Sequence, residues 1–470
     1  MFIYRLFLGL QFVQNSPINT KQSQFFRKKF KIMLTSEALE PQLNNRYLLE
    51  QPFDDSIGIH VVNYEGESSN KLPNGKGTGT FEDGRKYSGA WKDGQPQGHG
   101  TLEYTSGIIY TGQFFKGTPQ GHGKAVRPDG EYFEGDFDNG IPHGQGVIQR
   151  RDGTYYKGGF YKGEKNGYGE QLFQHGGSYK GDWKADLPEG RGEEVYRYGG
   201  GYKGDWKSGK PHGWGKEYSS GNDYYYEGEW NLGVKQGFGK KYFFKIGVVI
   251  EGEFKHGRLN GKGKIKRAKK SEFFSSRNLS NEDYDLTQEF RKEAFFIGSK
   301  PRLLYEGDFV NGVPKGQGKF VYSNGSRYSG QVDRGVENGV GKMVDIEGLF
   351  YRGEWRDGCY HGKGRTVLPD FSRYEGDWKE WEGNGFVRIN FGNYDEYEGS
   401  WERGKFNGQG RLEFGFPGGF YEGEFLDGVF HGFGVYEMVV PGFDGEEDEV
   451  HVFKGFFGQG KFISEVEKIE

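Results

Sequence analysis

A glycine-rich stretch, GQPQGHG at residues 94–100, is the first feature of the sequence that could do chemistry. Loops of this composition hold phosphate groups where backbone amides and a helix N-terminus converge on the anion, often with Lys-Ser or Lys-Thr following. A single such loop would predict a nucleotide site. The rest of the chain decides whether the stretch is single.

The stretch is one copy of a repeat with a period of 23 residues. YSGAWKDGQPQGHG begins at Tyr87, YTGQFFKGTPQGHG at Tyr110 and YKGDWKSGKPHGWG at Tyr202. Fourteen units share the pattern [YF]-x-G-x-[WF]-x-x-G-x-x-x-G-x-G, and positions three and twelve are Gly in all of them. The units start at Tyr87, Tyr110, Phe133, Tyr156, Tyr179, Tyr202, Tyr226, Ile250, Tyr305, Tyr328, Tyr351, Tyr374, Tyr397 and Tyr421, with a degenerate unit at Tyr64 and a truncated one at Phe453.

This repetition argues against the chemical interpretations. A turn that occurs 14 times and leads into strands is not a phosphate loop, so we expect no nucleotide and no other cofactor. The carboxylate pairs Glu227 with Glu229 and Glu375 with Asp377 have the spacing of a solvated strand face rather than of an acid and base. The histidines recur at turn positions without clustered partners, so neither catalytic residues nor metal ligands are predicted: His99, His122, His143, His212, His361 and His431.

The pattern instead predicts strands. In YEGEW the two aromatic residues and the glycine between them alternate with charged residues, so one face of a strand is aromatic and the other is wet. The glycine leaves room for a neighbouring ring to lie against the backbone. The stretch KDGQPQG is expected to reverse the chain into a second strand, and Asp83-Gly84 is typical of the turn that returns to the next unit. Each unit is therefore expected to be a hairpin.

These residues resemble the MORN repeat family, whose motif has the form YEGEWxxGxxxGxG. The resemblance covers residues 64–263 and 305–460. It implies an all-β fold, an elongated, twisted, single-layer antiparallel meander of about 14–16 hairpins, often curved into a trough with aromatics along one side. The candidate partner-binding residues are those of the aromatic face: Tyr87, Trp91, Tyr110, Phe114, Tyr179, Trp183, Tyr202, Trp206, Tyr226, Trp230, Tyr351, Trp355, Tyr374, Trp378, Tyr397 and Trp401.

The sequence between and after the repeats predicts the remaining elements of the chain. Ser280 with Asp283 resembles a capping box, and apolar residues follow on one helical face, which predicts one short helix at 281–296. The final KFISEVEKI could form a strand or a helix. The segments are an N-terminal tail at 1–63, repeat block one at 64–263, a charged insertion at 264–304 that holds the helix, repeat block two at 305–434, and an acidic loop with the truncated repeat at 435–470.

Charge and composition restrict the class of partner. The formal net charge is −4, which gives no general attraction to nucleic acid or to an anionic membrane. A single cysteine, Cys359, excludes an internal disulfide and a zinc site with several cysteines. Residues 1–36 are basic, which is typical of a mitochondrial presequence but also of a flexible tail or of an extension upstream of a true start at Met33.

The sequence therefore predicts a non-enzymatic structural scaffold. Resemblance to axonemal MORN proteins, such as radial spoke-head components, implies a cytoplasmic, cytoskeletal location in the axoneme of a cilium or flagellum. The implied partners are other structural proteins of a large complex, with a homodimer also open. Two alternatives remain: a membrane or phosphoinositide scaffold, supported by KIKRAKK at 264–270, and an accessory subunit of a mitochondrial assembly, supported by the basic N-terminus.

Overall fold

A computed structural model describes residues 60–244, 246–268, 303–442 and 447–465. These residues form 32 strands and one three-residue 3-10 helix, Ser220–Asn222. In chain order the strands are β1 (Val61–Ser69), β2 (Leu72–Phe81), β3 (Lys86–Lys92), β4 (Gln95–Glu103), β5 (Ile109–Phe115), β6 (Thr118–Val126), β7 (Tyr132–Asp138), β8 (Ile141–Gln149), β9 (Tyr155–Tyr161), β10 (Glu164–Leu172), β11 (Ser178–Lys184), β12 (Leu187–Val195), β13 (Gly201–Lys207), β14 (Lys210–Tyr218), β15 (Tyr224–Asn231), β16 (Val234–Phe243), β17 (Val248–Lys255), β18 (Arg258–Arg267), β19 (Leu303–Val310), β20 (Val313–Val321), β21 (Arg327–Asp333), β22 (Val336–Val344), β23 (Phe350–Arg356), β24 (Cys359–Val367), β25 (Arg373–Lys379), β26 (Glu382–Asn390), β27 (Glu396–Glu402), β28 (Lys405–Glu413), β29 (Gly419–Leu426), β30 (Val429–Val440), β31 (Glu449–Gly458) and β32 (Lys461–Glu465).

The described residues fall into two compact units. The first runs to Ile246 and includes Phe254–Gly257, and the second comprises Gly247–Glu253 and the residues from Arg258 onward. Within each unit, strands that follow one another in the chain pair antiparallel. The predicted all-β fold and its antiparallel meander are confirmed. Among the described residues no helix has the length and apolar character needed to cross a membrane.

The strands on either side of the insertion between the predicted repeat blocks are neighbours in the sheet. β18 and β19 pair directly, with Gly263 opposite Gly307 and Ile265 opposite Tyr305. The repeat register therefore continues from one side of the insertion to the other. The predicted helix at 281–296 lies outside the described residues, as do most of the N-terminal tail and part of the acidic loop.

The truncated repeat at the end of the described chain also forms a hairpin. β31 pairs with β32, with Gly455 opposite Glu465 and Gly458 opposite Lys461. The first five residues of KFISEVEKI, at 461–465, are therefore a strand rather than a helix.

Two kinds of turn alternate along the meander. Inside a repeat, β3 and β4 are joined by Asp93 and Gly94 alone, whose φ angles of 51° and 81° are typical of a type I′ turn. Between repeats, Gly84 lies in a longer loop, residues 82–85, with φ 87°, as the Asp-Gly dipeptide predicts. Both turns reverse the chain tightly, so successive strands lie side by side.

The chain reversal predicted for KDGQPQG is confined to Asp93 and Gly94, and most of the opening stretch GQPQGHG is a strand. Only Gly94 lies in the turn, and the remaining residues belong to β4. The strand bulges at Gly98, which has φ 69°, because the register with β3 shifts there. Glycine and proline are typical of loops, but here the glycine supplies a positive φ inside a strand.

Replacing Gly98 tests the bulge. A Cβ there would have only the Ala90 side chain within 4 Å, at 3.6 Å, so space is not limiting. A β-branched residue is strained at this φ, and we expect Gly98→Val to lower the free energy of unfolding by about 2 kcal/mol. Gly98→Asn should cost much less, because asparagine tolerates the left-handed region. Urea unfolding followed by tryptophan fluorescence compares the two, and equal losses would contradict the bulge.

Glycines of successive strands form a row across each unit. Gly89, Gly100 and Gly112 are direct partners on β3, β4 and β5. A Cβ on Gly100 would lie 2.2 Å from the hydroxyl oxygen of Tyr87 and 2.4 Å from two of its ring carbons. The Tyr87 ring thus lies across the row, in the space that the missing side chains leave. The packing role predicted for the third-position glycine is confirmed, and the glycine at position fourteen shares it.

One repeat interrupts the row and shows the role of the glycine. Val387 stands in the row opposite Gly376. The Tyr374 ring of this repeat packs against Phe391 and Trp401, at centroid separations of 6.5 and 6.2 Å. In ten other repeats the ring at position one contacts the aromatic ring four residues later at a centroid separation of 5.0–5.4 Å. A side chain in the row is therefore accompanied by a displaced ring.

Candidate functional site

The side chains predicted to bind partners form series of ring contacts between neighbouring repeats, here called the aromatic array, made of the residues at positions one and five of the repeats. Tyr202 lies edge to face between Trp206 and Trp230, with a centroid separation of 5.2 Å to each. The same contact links neighbouring repeats elsewhere. The sixteen predicted residues are 0–7% exposed: Tyr87, Trp91, Tyr110, Phe114, Tyr179, Trp183, Tyr202, Trp206, Tyr226, Trp230, Tyr351, Trp355, Tyr374, Trp378, Tyr397 and Trp401.

The polar atoms of the array bond within the sheet. The Tyr202 hydroxyl donates to the Asp205 carbonyl at 2.9 Å, and the indole N–H of Trp206 donates to the Gly192 carbonyl at 3.2 Å. These two bonds recur in other repeats. Burial raises the pKa of the Tyr87 hydroxyl to about 12, so it remains a neutral donor at physiological pH.

The array is therefore built like the core of a domain. Rings this deeply buried contact one another and the glycine row, and they present little surface to a second chain. The sequence identified the members of the array and their common face. Partner binding by these sixteen residues stays a prediction, and it would require rings to leave their present contacts.

Carboxylates at position four have a structural role that the sequence did not reveal. The Asp205 carboxylate accepts a hydrogen bond from the Trp214 amide at 3.0 Å, and Glu229 accepts one from the Phe238 amide at 2.9 Å. Each acceptor lies beside the bulge of the next strand and satisfies an amide at the bulge. Eleven of the 14 repeats have Asp, Glu or Gln at this position, and that recurrence is the sequence signal that could have indicated the role.

The pairs singled out in the sequence do not come together as acid and base. Glu229 bonds the Phe238 amide, whereas Glu227 accepts from the Tyr225 hydroxyl at 3.0 Å. Asp377 forms an ion pair with Lys363 at 2.8 Å. Each of these three carboxylates therefore has a partner of its own.

The histidines are not clustered with one another or with several carboxylates in the part of the chain that the structure describes. His122 lies 3.3 Å from one carboxylate, that of Asp136, and both side chains are exposed. Within the residues that the structure describes, no group of three or more His, Cys, Asp or Glu side chains has an arrangement that could hold a metal ion.

Position ten of the repeat is proline in six repeats, but in three others it is a charged residue that lies against the aromatic array. The Lys165 ammonium lies 4.9 and 4.7 Å from the ring centroids of Tyr156 and Trp183. Burial, with a smaller effect of the Arg150 charge, lowers the pKa of Lys165 to about 7. Lys235 occupies the equivalent place in another repeat and forms an ion pair with Glu217.

Glu337 is the acidic counterpart in the second unit, and it predicts a pH dependence. It is 8% exposed, and burial raises its pKa to about 7 from 4.5. A carboxyl with a raised pKa in the fold contributes stability below its unfolded pKa and loses that contribution as pH rises through the folded value. We therefore expect the second unit to lose about 3 kcal/mol of stability as pH rises from the unfolded to the folded pKa, relative to Glu337→Gln. Urea unfolding at pH 5 and pH 8 tests this.

A matched control for the Glu337 experiment is Glu347→Gln, at an exposed site in the same unit. This variant should follow the wild-type pH profile. Parallel profiles for wild type and Glu337→Gln would contradict the assignment.

Comparison with known proteins identifies the repeat. A family model of the MORN repeat matches 13 segments, which together make up more than half of the chain: 64–84, 87–109, 110–132, 133–155, 179–200, 202–223, 226–245, 251–271, 305–327, 328–349, 351–373, 397–415 and 421–438. The repeats that begin at Tyr156, Tyr374 and Phe453 fall outside these segments, yet each forms its hairpin. Such repeats suggest a structural or scaffold protein.

Solved structures similar to this chain have low sequence identity to it. No curated protein matches the sequence. Among solved structures, the chain is similar to the TCP domain of Drosophila melanogaster SAS-4 in complex with a proline-rich motif of Ana2, at 13% identity over 39% of this chain and 94% of that one, with a TM-score of 0.22. It is similar to the TCP10 domain of Danio rerio CPAP in complex with a STIL peptide, at 10% identity over 72% and 93%, with a TM-score of 0.13. A Staphylococcus aureus virginiamycin B lyase is 11% identical over 65% and 96%, with a TM-score of 0.12. These TM-scores are too low to indicate a shared fold.

Proposed function

The chain belongs to the family of MORN-repeat proteins, and we propose that it is a non-enzymatic scaffold that holds partner proteins in a large cytoskeletal assembly. One observation carries the proposal: the repeated residue types make contacts inside the sheet. The rings cover the glycine row, and the position-four carboxylates bond the amides at the bulges. These residues build a support, so recognition of partners falls to the side chains that differ between repeats.

We propose the ciliary or flagellar axoneme as the assembly, with a role of radial spoke-head type. The support for this finer proposal is the resemblance to axonemal MORN proteins in the tandem organisation of the repeats and in the mildly acidic balance, with a net charge of −4. A state bound to partners or to a second copy agrees with the exposed backbone edges that a sheet of this kind presents.

Fractionation of ciliated cells tests the proposal. The protein should stay with axonemes after detergent extraction and should leave them only when salt or denaturant dissociates the spokes. A tubulin blot and a soluble cytosolic enzyme serve as the two controls. Recovery in detergent-soluble cytosol alone would contradict the axonemal role, and recovery with mitochondria would favour the mitochondrial alternative.

The membrane alternative rests on the basic stretch KIKRAKK, and two lysines of this stretch form ion pairs within the sheet. Lys264 forms an ion pair with Glu306 at 2.9 Å, and Lys266 forms one with Glu251 at 2.5 Å. Cations that are already paired attract anionic lipid less strongly than free ones. We expect the protein not to sediment with anionic liposomes, and strong sedimentation would favour the membrane role.

A further inference from the structure

The outer face of the sheet, opposite the aromatic array, carries a ladder of complementary side-chain pairs. The ladder joins position two of one strand to the residue after the last glycine of the neighbouring strand. Glu193 pairs with Lys203 at 2.9 Å, and Arg388 pairs with Glu398 at 2.9 Å. Thr101 and Thr111 make the same contact through their hydroxyls at 3.1 Å. Opposite charges or matched hydroxyls at such positions stabilise a sheet.

The ladder changes along β20 to β24 of the second unit, where Arg352 faces Lys342 on one side and Arg365 on the other. Lys319, Ser329, Lys342, Arg352 and Arg365 are successive direct partners on β20 to β24. We call these residues the basic row. Its four cations are exposed, and none of them forms an ion pair with another residue that the structure describes. Lys342 opposite Arg352, and Arg352 opposite Arg365, are pairs that destabilise a sheet.

An apolar row lies beside the basic row on the same face. It is formed by the residues two positions further from the last glycine and by their partners: Val321, Arg327, Val344, Phe350, Val367 and Arg373. Val344 is 43% exposed. Arg327 separates Val321 from Val344, and Arg373 follows Val367, so the surface combines a strip of positive charge with a short hydrocarbon strip that has an arginine at each end.

The dimensions of the two rows fit a helix laid across the strands. Neighbouring strands are about 4.8 Å apart. On a helix, residues three or four apart recur every ~5–6 Å along one face, so a stripe of carboxylates can meet one strand after another. A helix about 10 Å wide covers both rows at once. The matching ligand has an acidic stripe next to an apolar stripe.

We propose that the basic row and the apolar row beside it bind an acidic amphipathic helix of a partner protein. The inference rests on the proposed function as a scaffold, and it names the surface and the chemistry of one partner. A flat anionic bilayer fits less well, because it would also meet the carboxylates of Glu354, Glu375 and Asp377 on the neighbouring positions of this face.

Arg352→Glu tests the proposal because it separates binding from stability. The introduced carboxylate would lie between Lys342 and Arg365 and restore the alternation of charge, so the melting temperature should stay or rise. The probe is a fluorescein-labelled synthetic helix with a glutamate stripe beside a leucine stripe, titrated with the full chain and followed by anisotropy. We expect the variant to bind it about tenfold more weakly than wild type.

Two controls sharpen the experiment. A peptide of the same composition with glutamates spread around the helix should bind wild type more weakly than the striped one. Lys157→Glu, at an exposed position two in the first unit, should leave affinity unchanged. The double variant Lys342→Gln with Arg365→Gln should weaken binding without adding an acid.

Three results of the peptide titration would contradict the proposed helix-binding surface. Equal affinity of wild type and Arg352→Glu, no binding of the striped peptide by wild type, or displacement of that peptide by phosphatidylserine vesicles would each overturn the inference. If it fails while the protein stays with extracted axonemes, the scaffold function stands and another surface holds the partner.

Discussion

Gly100→Val should lower the free energy of unfolding by more than about 3 kcal/mol, because the new side chain enters space that the Tyr87 ring fills. Its Cβ would lie 2.2 Å from the Tyr87 hydroxyl oxygen. The ring has no exposed surface, and its hydroxyl bonds the Ala90 carbonyl at 2.9 Å, so it cannot swing aside without losing both. Urea unfolding of the full chain measures the loss, and amide exchange in β3 to β5 locates it.

Two comparisons isolate the steric cause of this loss. Gly117→Asn introduces a side chain where nothing lies within 4 Å, at a φ of 85° that asparagine tolerates, and should change stability little. Gly98→Val lies two residues away in the same strand. It introduces backbone strain at a positive φ but no steric clash, so it should lower the free energy of unfolding less than Gly100→Val does. A loss at Gly98 equal to or larger than that at Gly100 would contradict the role of the glycine row.

Trp206→Ala is expected to cost about 4 kcal/mol, as for other buried aromatic side chains. The indole is 5% exposed and contacts Tyr179 and Tyr202 at centroid separations of 5.1 and 5.2 Å. Its N–H also loses its bond to the Gly192 carbonyl. Thermal and urea unfolding report the loss, and exchange should increase most in β11 to β14.

The matched control is Tyr198→Ala, an aromatic residue of the same unit that is 80% exposed, and it should change stability by less than about 0.5 kcal/mol. The pair also distinguishes a core from a binding face. If Trp206→Ala kept the stability of the wild type but released a partner, the binding role predicted for the aromatic array would be correct instead.

The sequence predicted the elements whose signal is local. Alternation in YEGEW predicted the strand and its two faces, and Asp83-Gly84 predicted the turn between repeats. The invariant third-position glycine predicted close packing of a ring, and the Cβ distances at the glycine row agree with that. Local patterns could do this because each repeat uses the same short-range geometry.

Features that depend on register could not be predicted from the pattern. Nothing local shows that Gly98 is a bulge inside a strand, because Gly and Pro in QPQG are equally typical of a loop. The contact from Asp205 to the Trp214 amide follows only when two strands are aligned. The basic row is likewise invisible in the chain, since Lys342 and Arg352 become neighbours only through pairing.

Crosslinking of native ciliary material, followed by mass spectrometry, tests the central claim that this chain is a scaffold most directly. Lys319 and Lys342 are exposed amines on the outer face and provide reactive positions. We expect these lysines to crosslink to other structural proteins of the axoneme, and the crosslinked segments of one partner to be acidic and helical. Crosslinks confined to this chain, in protein recovered free of any assembly, would contradict it.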